Sequence, residues 1–245
     1  MNILRTILAV IRLLLFACIA VLMIVYILGA SLLRLPHRHI YRAFTATCAA
    51  VRFVLNIRRR VIGVPPAVRG IIMCNHRSYI DIILIPSAVP YVIVAKRQVR
   101  AWPVIGQAAV AIKTIFVDRD SPESRRRTRD AIHSRLSQGL SVLIFPEGTT
   151  HEGPGVLDYK PGMFRTCAAE GFPVIPMAVE FRDRSAAWVG DDTFIRHFIE
   201  TFGKWRTEVD LSIGTPFTGN DGDALRRKTQ EWAHAETKKM AARAE

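Results

Sequence analysis

The sequence predicts an α/β fold with a mostly parallel central sheet, flanked by helices and preceded by a hydrophobic helical segment at the N-terminus. The first observation is that short apolar runs, rich in Val and Ile, alternate with longer stretches of helical character. The second is that these runs are apolar at successive positions, as in strands covered on both faces. The third is the length of 245 residues, which suits one good-sized domain with an appendage.

The N-terminal apolar segment is the first predicted element. Residues 13–33 carry no charge and are flanked by Arg12 and Arg34, and a run of 21 residues is about long enough to cross a bilayer. A cleaved signal peptide is the alternative, and it is less favoured because its apolar region usually has only about 7–15 residues. Arginines lie on both sides of the segment, so the positive-inside rule gives no orientation.

A second hydrophobic segment, residues 39–57, follows at once. Its apolar residues, among them Ile40, Phe44 and Val51, recur at roughly helical spacing. Two helices lying in one leaflet are therefore an alternative to a full span. With either arrangement, we expect residues 1–57 to anchor the protein at a membrane and residues 58–245 to form the functional domain.

The net charge narrows the choice of partner. A formal charge of +13 and a pI near 10.3 suit nucleic acid, an anionic membrane surface or an acidic partner. The apolar segment favours the membrane, and the scattered cations without interleaved aromatic residues argue against nucleic acid. A non-catalytic basic membrane-binding protein is one function class that fits these properties.

The elements of residues 58–245 follow from the alternation. The predicted helices cover about residues 78–87, 102–111, 122–138, 160–170 and 223 to the C-terminus. The predicted strands are RVIGV (60–64), GIIMC (70–74), YVIVA (91–95), TIFVD (114–118), SVLIF (141–145), VIPMAVEF (174–181) and VDLSIG (209–214). Strands separated by helices indicate a largely parallel sheet.

The cysteines give no sign of a metal site or a disulfide framework. Cys18, Cys48, Cys74 and Cys167 stand singly in apolar surroundings, without ligand-like spacing to the histidines. We therefore predict reduced cysteines, on the cytosolic side or in a membrane-buried core, and no bound metal.

Polar residues gather where the predicted strands end. His76 follows GIIMC, Lys96 follows YVIVA, Arg119 follows TIFVD and Glu147 follows SVLIF. Ligands of open α/β sheets bind beyond the carboxyl ends of the strands. These residues therefore predict one cleft that contains a base, cations and a carboxylate.

The pair His76 and Asp81 lies within one short stretch. On a continuous helix the two side chains would point about 140° apart, so we expect His76 in the turn before a helix that begins at Ser78. Asp81 can then fold back to orient the imidazole, and the backbone N–H groups of the helix start could bind an oxyanion. A plain Ser78–Asp81 capping box beside an ordinary loop histidine is the alternative.

Four blocks of the sequence resemble one known family, the glycerophospholipid acyltransferases. The stretch NHRSYID (75–81) has the family's NHx4D form, and FPEGTT (145–150) is similar to its FPEGT block, which follows about 70 residues later. The stretches FVDR (116–119) and VIPMAV (174–179) resemble its arginine-containing and proline-containing blocks. The resemblance extends from about Arg58 to Gly214.

The resemblance implies transfer of a fatty acyl group from acyl-CoA or acyl carrier protein to the sn-2 hydroxyl of lysophosphatidic acid, giving phosphatidic acid. By this resemblance His76 is the general base, Asp81 orients it, and Arg119 holds the phosphate of the acceptor. It also implies an acceptor site with Glu147, Gly148 and Thr149, with Lys96 as a further contact for phosphate or carrier protein. No cofactor besides the acyl donor is implied, and the enzyme would act on membrane lipid at the cytoplasmic face of a bacterial inner membrane.

Two departures bear on the acceptor. This chain has Lys113 where the second block commonly opens with glycine, and Thr150 and His151 where the third block commonly continues with Arg-Ser. Loss of that arginine removes one phosphate ligand, so a lyso-ornithine lipid is the alternative acceptor. Because Arg119 is retained, lysophosphatidic acid is the expected one.

Overall fold

The computed structural model describes residues 3–85, 90–102, 105–118 and 121–243. Arg119 and the predicted helix end at Ser87 lie outside these residues. The strands are β1 (Ile57–Ile62), β2 (Ile71–Cys74), β3 (Tyr91–Lys96), β4 (Ile115–Val117), β5 (Ser141–Ile144), β6 (Val174–Phe181) and β7 (Thr207–Ile213). The α-helices are α1 (Ile3–Leu32), α2 (His37–Val54), α3 (Asp81–Leu84), α4 (Ile105–Ala111), α5 (Pro122–Ser137), α6 (Gly162–Glu170), α7 (Phe194–Phe202) and α8 (Gly222–Ala242).

The described strands form one mostly parallel sheet, as predicted. Their order across the sheet is β1-β7-β6-β2-β5-β3-β4. β6 and β7 pair antiparallel, and the other neighbouring strands pair parallel. β2 therefore lies in the middle of the sheet, and the turn that carries His76 leaves from its carboxyl end.

Helices cover both faces of the sheet, which explains why the central strands are apolar throughout. In β2, Ile72 and Cys74 join a core cluster with residues of α1, α2 and α7. The alternate residues Ile71 and Met73 join a second cluster with residues of α5, α6 and α8. None of the four has any exposed surface.

The largest differences from the predicted elements concern α3 and α7. The helix predicted to begin at Ser78 covers only Asp81–Leu84 in the described part of the chain, and the Ser78 side chain does not cap it. Helix α7, with nine residues between β6 and β7, was not among the predicted helices.

Helix α1 is long and apolar enough to cross a membrane over Ile3–Ala30. One stripe of the helix nevertheless faces the protein, and its spacing of three or four residues is that of one helix face. Arg12 lies on this stripe and is 6% exposed, and its guanidinium donates to the carbonyl oxygens of Phe202 (2.8 Å), Lys204 (2.6 Å) and Trp205 (2.9 Å). The other buried members of the stripe are Ala9, Met23, Ile27 and Ala30.

The opposite side of α1 is a broad apolar surface. Its exposed residues include Leu4, Leu14, Leu22, Val25 and Leu28, each with more than half of its surface accessible. Helix α1 therefore packs along the domain with one side and presents the other to its surroundings. The predicted boundary at residue 57 lies within β1, and both α1 and α2 contribute to the core cluster of one sheet face.

Candidate active site

His76 and Asp81 meet in the turn after β2. The Nδ1 atom of His76 lies 2.8 Å from Oδ2 of Asp81. Asp81 is fully buried, and the same oxygen accepts the backbone N–H groups of Arg77 (2.6 Å) and Ser78 (2.9 Å). With Nδ1 donating to the carboxylate, Nε2 carries the free lone pair that a general base needs.

This geometry combines the two predicted alternatives, because Asp81 binds both the imidazole and the Ser78 N–H. It also corrects two details. The Ser78 hydroxyl is buried and has no hydrogen-bond partner within the described residues, so it is not an N-cap. The N–H groups of Arg77 and Ser78 donate to Asp81, and hence are not available to an oxyanion.

Glu147 lies behind His76 and away from the cavity. Its Oε2 accepts the backbone N–H of His76 (2.6 Å), and its Oε1 accepts the backbone N–H of Leu157 (2.9 Å) and lies 3.0 Å from Nε2 of His151. The carboxylate is completely buried. The sequence prediction placed Glu147 in the acceptor site. In the structure its contacts instead hold the loop that carries His76 in position.

A buried arginine, Arg77, completes this layer. Its Nη2 donates to Oε2 of Glu180 (2.6 Å) and to the carbonyl oxygen of Gly155 (2.6 Å), and its Nη1 is in contact with His151. Gly153 has φ +81°, and a side chain there would meet the guanidinium. Sequence reasoning missed Arg77 and His151, although the carboxylate of Glu180 within the apolar run VIPMAVEF was a signal, since a buried charge needs a partner.

An apolar cavity of about 450 Å³ opens beside His76. His76 stacks on Phe145 with ring centroids 4.0 Å apart. Helices α1, α2 and α4 supply part of the wall. Residues of these helices that line the cavity include Phe16, Ala20, Met23, Phe44, Val51 and Ile105.

Several predicted residues line the same cavity. Gly148, Thr149 and Lys96 do so together with His76. Thr150 lines it as well, and its hydroxyl donates to the carbonyl oxygen of Trp188. The structure thus brings His76, Asp81, Gly148, Thr149 and Lys96 together, turns Glu147 inward, and does not describe Arg119.

Aromatic residues outside the four blocks also meet here. Trp188 contacts Tyr79 (5.2 Å between ring centroids) and Trp102 (5.7 Å), and all three line the cavity. Trp188 is held by its backbone N–H, which donates to the carbonyl oxygen of Arg77 (2.8 Å). Trp188 was missed because no short motif marks the loop that follows β6.

Cys74 and Tyr79, which lie close to His76 in the sequence, do not supply an ionised nucleophile. Burial, together with the carboxylates of Asp81 and Glu147, raises the pKa of the Cys74 thiol well above its usual range. Burial also raises the pKa of Tyr79. Both groups stay neutral at physiological pH, so neither is an alternative to His76 as the base.

The comparison with known families agrees with this arrangement. The sequence model of the Acyltransferase family matches residues 58–180, which contain His76, Asp81 and Glu147. The chain belongs to the acyltransferase family. Membership makes the protein an enzyme and sets aside the non-catalytic membrane-binding alternative.

This acyltransferase has curated relatives of two kinds. It is 31% identical over 191 residues to lyso-ornithine lipid O-acyltransferase of Pseudomonas aeruginosa, which covers 75% of this chain and 72% of that protein. The same enzyme of Rhizobium meliloti is 31% identical over 181 residues, 66% of this chain and 62% of that protein. The 1-acyl-sn-glycerol-3-phosphate acyltransferase of Neisseria gonorrhoeae is 29% identical over 115 residues, 47% of this chain and 45% of that protein.

The fold of the acyltransferase also has a solved counterpart. It matches the crystal structure of the 1-acyl-sn-glycerophosphate acyltransferase PlsC from Thermotoga maritima with a TM-score of 0.69 and 21% identity. The match covers 97% of this chain and 98% of that one. The predicted fold class, including the N-terminal helices, is confirmed.

Proposed function

We propose that this enzyme transfers a fatty acyl group from an acyl thioester to the free hydroxyl of a lysolipid at a membrane. The observation that carries the proposal is the His76–Asp81 pair, 2.8 Å apart, at the wall of an apolar cavity. An apolar cavity suits a fatty acyl chain, and each buried methylene contributes about 0.8 kcal/mol. A base held in one tautomer suits the removal of a proton from a hydroxyl.

The reaction then follows in two steps without a covalent enzyme intermediate. Nε2 of His76 accepts the proton as the hydroxyl oxygen of the lysolipid forms a bond to the thioester carbonyl carbon. The tetrahedral intermediate collapses, the carbon–sulfur bond breaks, and the imidazolium returns the proton to the leaving thiolate. Asp81 stabilises the imidazolium between the two steps, since its buried carboxylate stays beside Nδ1.

The remaining predicted residues bind the substrates. Gly148 and Thr149 contact the acceptor beside the base, and Lys96 pairs with an anionic group of the acceptor or of the donor. Arg119 follows β4 and keeps its predicted role as an anion contact. The thioester is already activated, so the transfer needs no cofactor beyond the acyl donor, which is acyl-CoA or acyl carrier protein.

For the acceptor, we rank a lyso-ornithine lipid above lysophosphatidic acid, which reverses the order expected from the sequence. The matches to lyso-ornithine lipid O-acyltransferases extend over 181 and 191 residues, compared with 115 residues for the Neisseria phosphatidic acid-forming type. The cavity has the neutral Thr150 where the family commonly has an arginine, and the Thr150 hydroxyl is held by Trp188. A site with one cation fewer is less suited to a phosphate dianion.

The exposed side of α1 supports a location at a membrane. Its apolar surface suits the hydrocarbon of a bilayer, and its opposite side is bonded to the domain through Arg12. The helix therefore lies along the membrane with the domain rather than standing apart from it. Thioester donors are made in the cytoplasm, so the domain occupies the cytoplasmic face of a bacterial inner membrane.

The proposal is tested by offering the purified enzyme a labelled acyl thioester with lyso-ornithine lipid and with lysophosphatidic acid in parallel. We expect acylation of the lyso-ornithine lipid and no transfer to either acceptor by His76→Ala. Formation of phosphatidic acid alone would restore the order expected from the sequence. Equal activity of wild type and His76→Ala would disprove the role of His76.

A gain-of-function variant sharpens the choice of acceptor. Thr150→Arg places the common guanidinium at the cavity wall, so the ratio of kcat/KM for lysophosphatidic acid to that for lyso-ornithine lipid should rise. Thr150→Gln, of intermediate length and without charge, is the control. An equal change in both variants would show that side-chain size, and not charge, sets the preference.

A further inference from the structure

A second concave surface lies beside the catalytic cavity. We call it the arginine groove, and its volume is about 580 Å³. It lies between α5, β4 and the 3-10 helix Arg97–Ala101. The residues that define it are Arg97, Arg100, Thr114, Phe116, Arg127 and Arg135.

The groove carries an excess of positive charge. Among the described residues, Asp118 and Glu123 also line it, Asp118 lies 3.6 Å from Arg97, and Glu123 lies 2.5 Å from Arg127. Arg100 and Arg135 make no ion pair within the described parts of the chain. Burial, and to a lesser extent the charge of Arg135, lower the pKa of the neighbouring Lys113. Two guanidinium groups are thus available to an anion.

Two further features of the groove are a buried hydroxyl group and an aromatic ring. Thr114 is 9% exposed, and its hydroxyl has no hydrogen-bond partner in the part of the chain that the structure describes. The ring of Phe116 is half-buried, and the guanidinium carbon of Arg100 lies 6.0 Å from its centroid. Guanidinium groups bind phosphate through their forked donors, and aromatic rings stack on nucleobases.

Two residues connect the groove with the catalytic cavity. Thr114 lines both. Lys96 lines the cavity, and the next residue, Arg97, lines the groove. A long ligand with an anionic end in the groove therefore has its other end next to the cavity that contains His76.

We propose that the arginine groove binds the phosphate groups of a nucleotide-bearing acyl thioester, coenzyme A, while its thioester end enters the catalytic cavity. The inference rests on the proposed acyl transfer, because it assigns the donor for that reaction. The groove has the volume of a small-ligand site, about 300–1,000 Å³, and it is concave. A carrier protein would instead need a contact surface of about 800 Å² on this enzyme.

The test measures binding of unacylated coenzyme A and of adenosine 3′,5′-bisphosphate to the full-length enzyme in neutral detergent. The Arg100→Ala/Arg135→Ala double variant removes the two available guanidiniums. Its dissociation constant for coenzyme A should rise by about tenfold or more, as expected for loss of a charged hydrogen bond. The matched control is Arg126→Ala/Arg129→Ala, which removes two exposed charges of the same helix outside the groove, and its dissociation constant should not change.

Kinetic measurements with each substrate distinguish coenzyme A from the other anionic molecules that the groove could bind. We expect the KM for acyl-CoA to rise in the groove variant, while the KM for the lysolipid and for acyl-pantetheine, which has no phosphate, stays constant. Three results would each overturn the assignment. They are a higher KM for the lysolipid, a loss of activity only with acyl carrier protein as the donor, and weaker binding to anionic vesicles while the binding of coenzyme A is unchanged.

The two proposals fail in different assays. Binding of coenzyme A does not depend on turnover, so His76→Ala should bind it like the wild type. Unchanged binding in the groove variant would reject the groove even if acyl transfer is confirmed. Product assays that show no transfer would reject the reaction, whatever the groove binds.

Discussion

The carboxylate of Glu147 accepts a hydrogen bond from the backbone N–H of His76, with 2.6 Å between Oε2 and the nitrogen. The two residues lie 71 positions apart and belong to the NHx4D and FPEGT blocks of the sequence. The bond fixes the carboxyl end of β2 against the carboxyl end of β5. It gives the carboxylate of the FPEG block a role in holding the base.

Glu147→Gln tests that role. Either orientation of the amide points an NH₂ group at an N–H donor, of His76 or of Leu157, so the free energy of unfolding should fall by about 1–3 kcal/mol. The catalytic constant kcat should fall while the KM for the lysolipid stays nearly constant. A rise in that KM with unchanged kcat would instead support the predicted contact between Glu147 and the acceptor.

Asp81→Asn removes the negative charge of this side chain and keeps its shape, so it tests the charge alone. Oδ2 of Asp81 accepts three N–H donors, whereas Oδ1 has no partner within the described residues, so an amide fits with its NH₂ group at Oδ1. The turn should keep its structure, but the imidazolium loses its counter-charge. We expect kcat to fall about 100-fold, the upper range for a charged hydrogen bond. Asp81→Ala should lower kcat further and also reduce stability, and equal activity of Asp81→Asn and wild type would rule out the need for the charge.

Arg12→Met tests the attachment of α1. Methionine keeps much of the length but leaves the carbonyl oxygens of Phe202, Lys204 and Trp205 without their donor, at a cost of about 3 kcal/mol. The melting temperature in detergent should fall, and limited proteolysis between α1 and α2 should become faster. Arg5→Met, an exposed change on the same helix, is the control. Equal behaviour of both variants would show that Arg12 does not hold the helix.

Lys113 should be an unfavourable residue at its position. It has φ +61°, and the Thr114 N–H donates to Ala109 while the Lys113 N–H donates to Val110, so it ends α4 in a left-handed C-cap. Lys113→Gly should raise the free energy of unfolding by about 1 kcal/mol. The opposite change, Gly171→Ala at the left-handed end of α6, should lower it. Denaturant titration measures both, and a loss of stability in Lys113→Gly would show that other contacts of the lysine outweigh the backbone strain.

His197 predicts a pH dependence of stability. It is buried, its Nδ1 lies 3.2 Å from the Tyr79 hydroxyl and its Nε2 lies 3.2 Å from the carbonyl oxygen of Ala187, and burial lowers its pKa. A lowered pKa means that the unfolded chain takes up the proton first. The contribution of neutral His197 to the free energy of unfolding is therefore fully present above the pKa of histidine in the unfolded chain, about 6.5. It is lost as the pH falls below that value.

The measurement compares melting temperatures at about pH 7.5 and about pH 5.5. The wild type should lose more stability over this interval than His197→Gln, which cannot titrate. Parallel curves for wild type and His197→Gln would contradict the prediction.

The strands and the His76–Asp81 pairing could be predicted from the sequence because both depend on local patterns. Apolar runs mark buried strands wherever they occur, and a five-residue spacing limits how two side chains can meet. The short helix α3 and the inward direction of Glu147 could not be predicted. They depend on contacts between β2, β5 and β6 that only the folded chain makes.

The site residues that the sequence did not reveal also depend on contacts between distant parts of the chain. Arg77 is buried because Glu180, His151 and Gly155 surround it, and these come from two separate parts of the chain. Trp188 reaches the cavity because β6 is followed by a loop that returns over Arg77. No short motif marks such residues. They are indicated only by a buried polar group elsewhere in the chain that needs a hydrogen-bond partner.

Helix α1 has one further consequence for anyone who works with this enzyme. Because Phe16, Ala20 and Met23 line the cavity, a truncation before β1, made to obtain a water-soluble protein, would delete one wall of the catalytic chamber. A transmembrane helix grafted from an unrelated protein would return the enzyme to lipid without rebuilding that wall. The hydrophobic N-terminus is therefore not an interchangeable tether, since one side of it is an exposed apolar surface and the other lines the cavity.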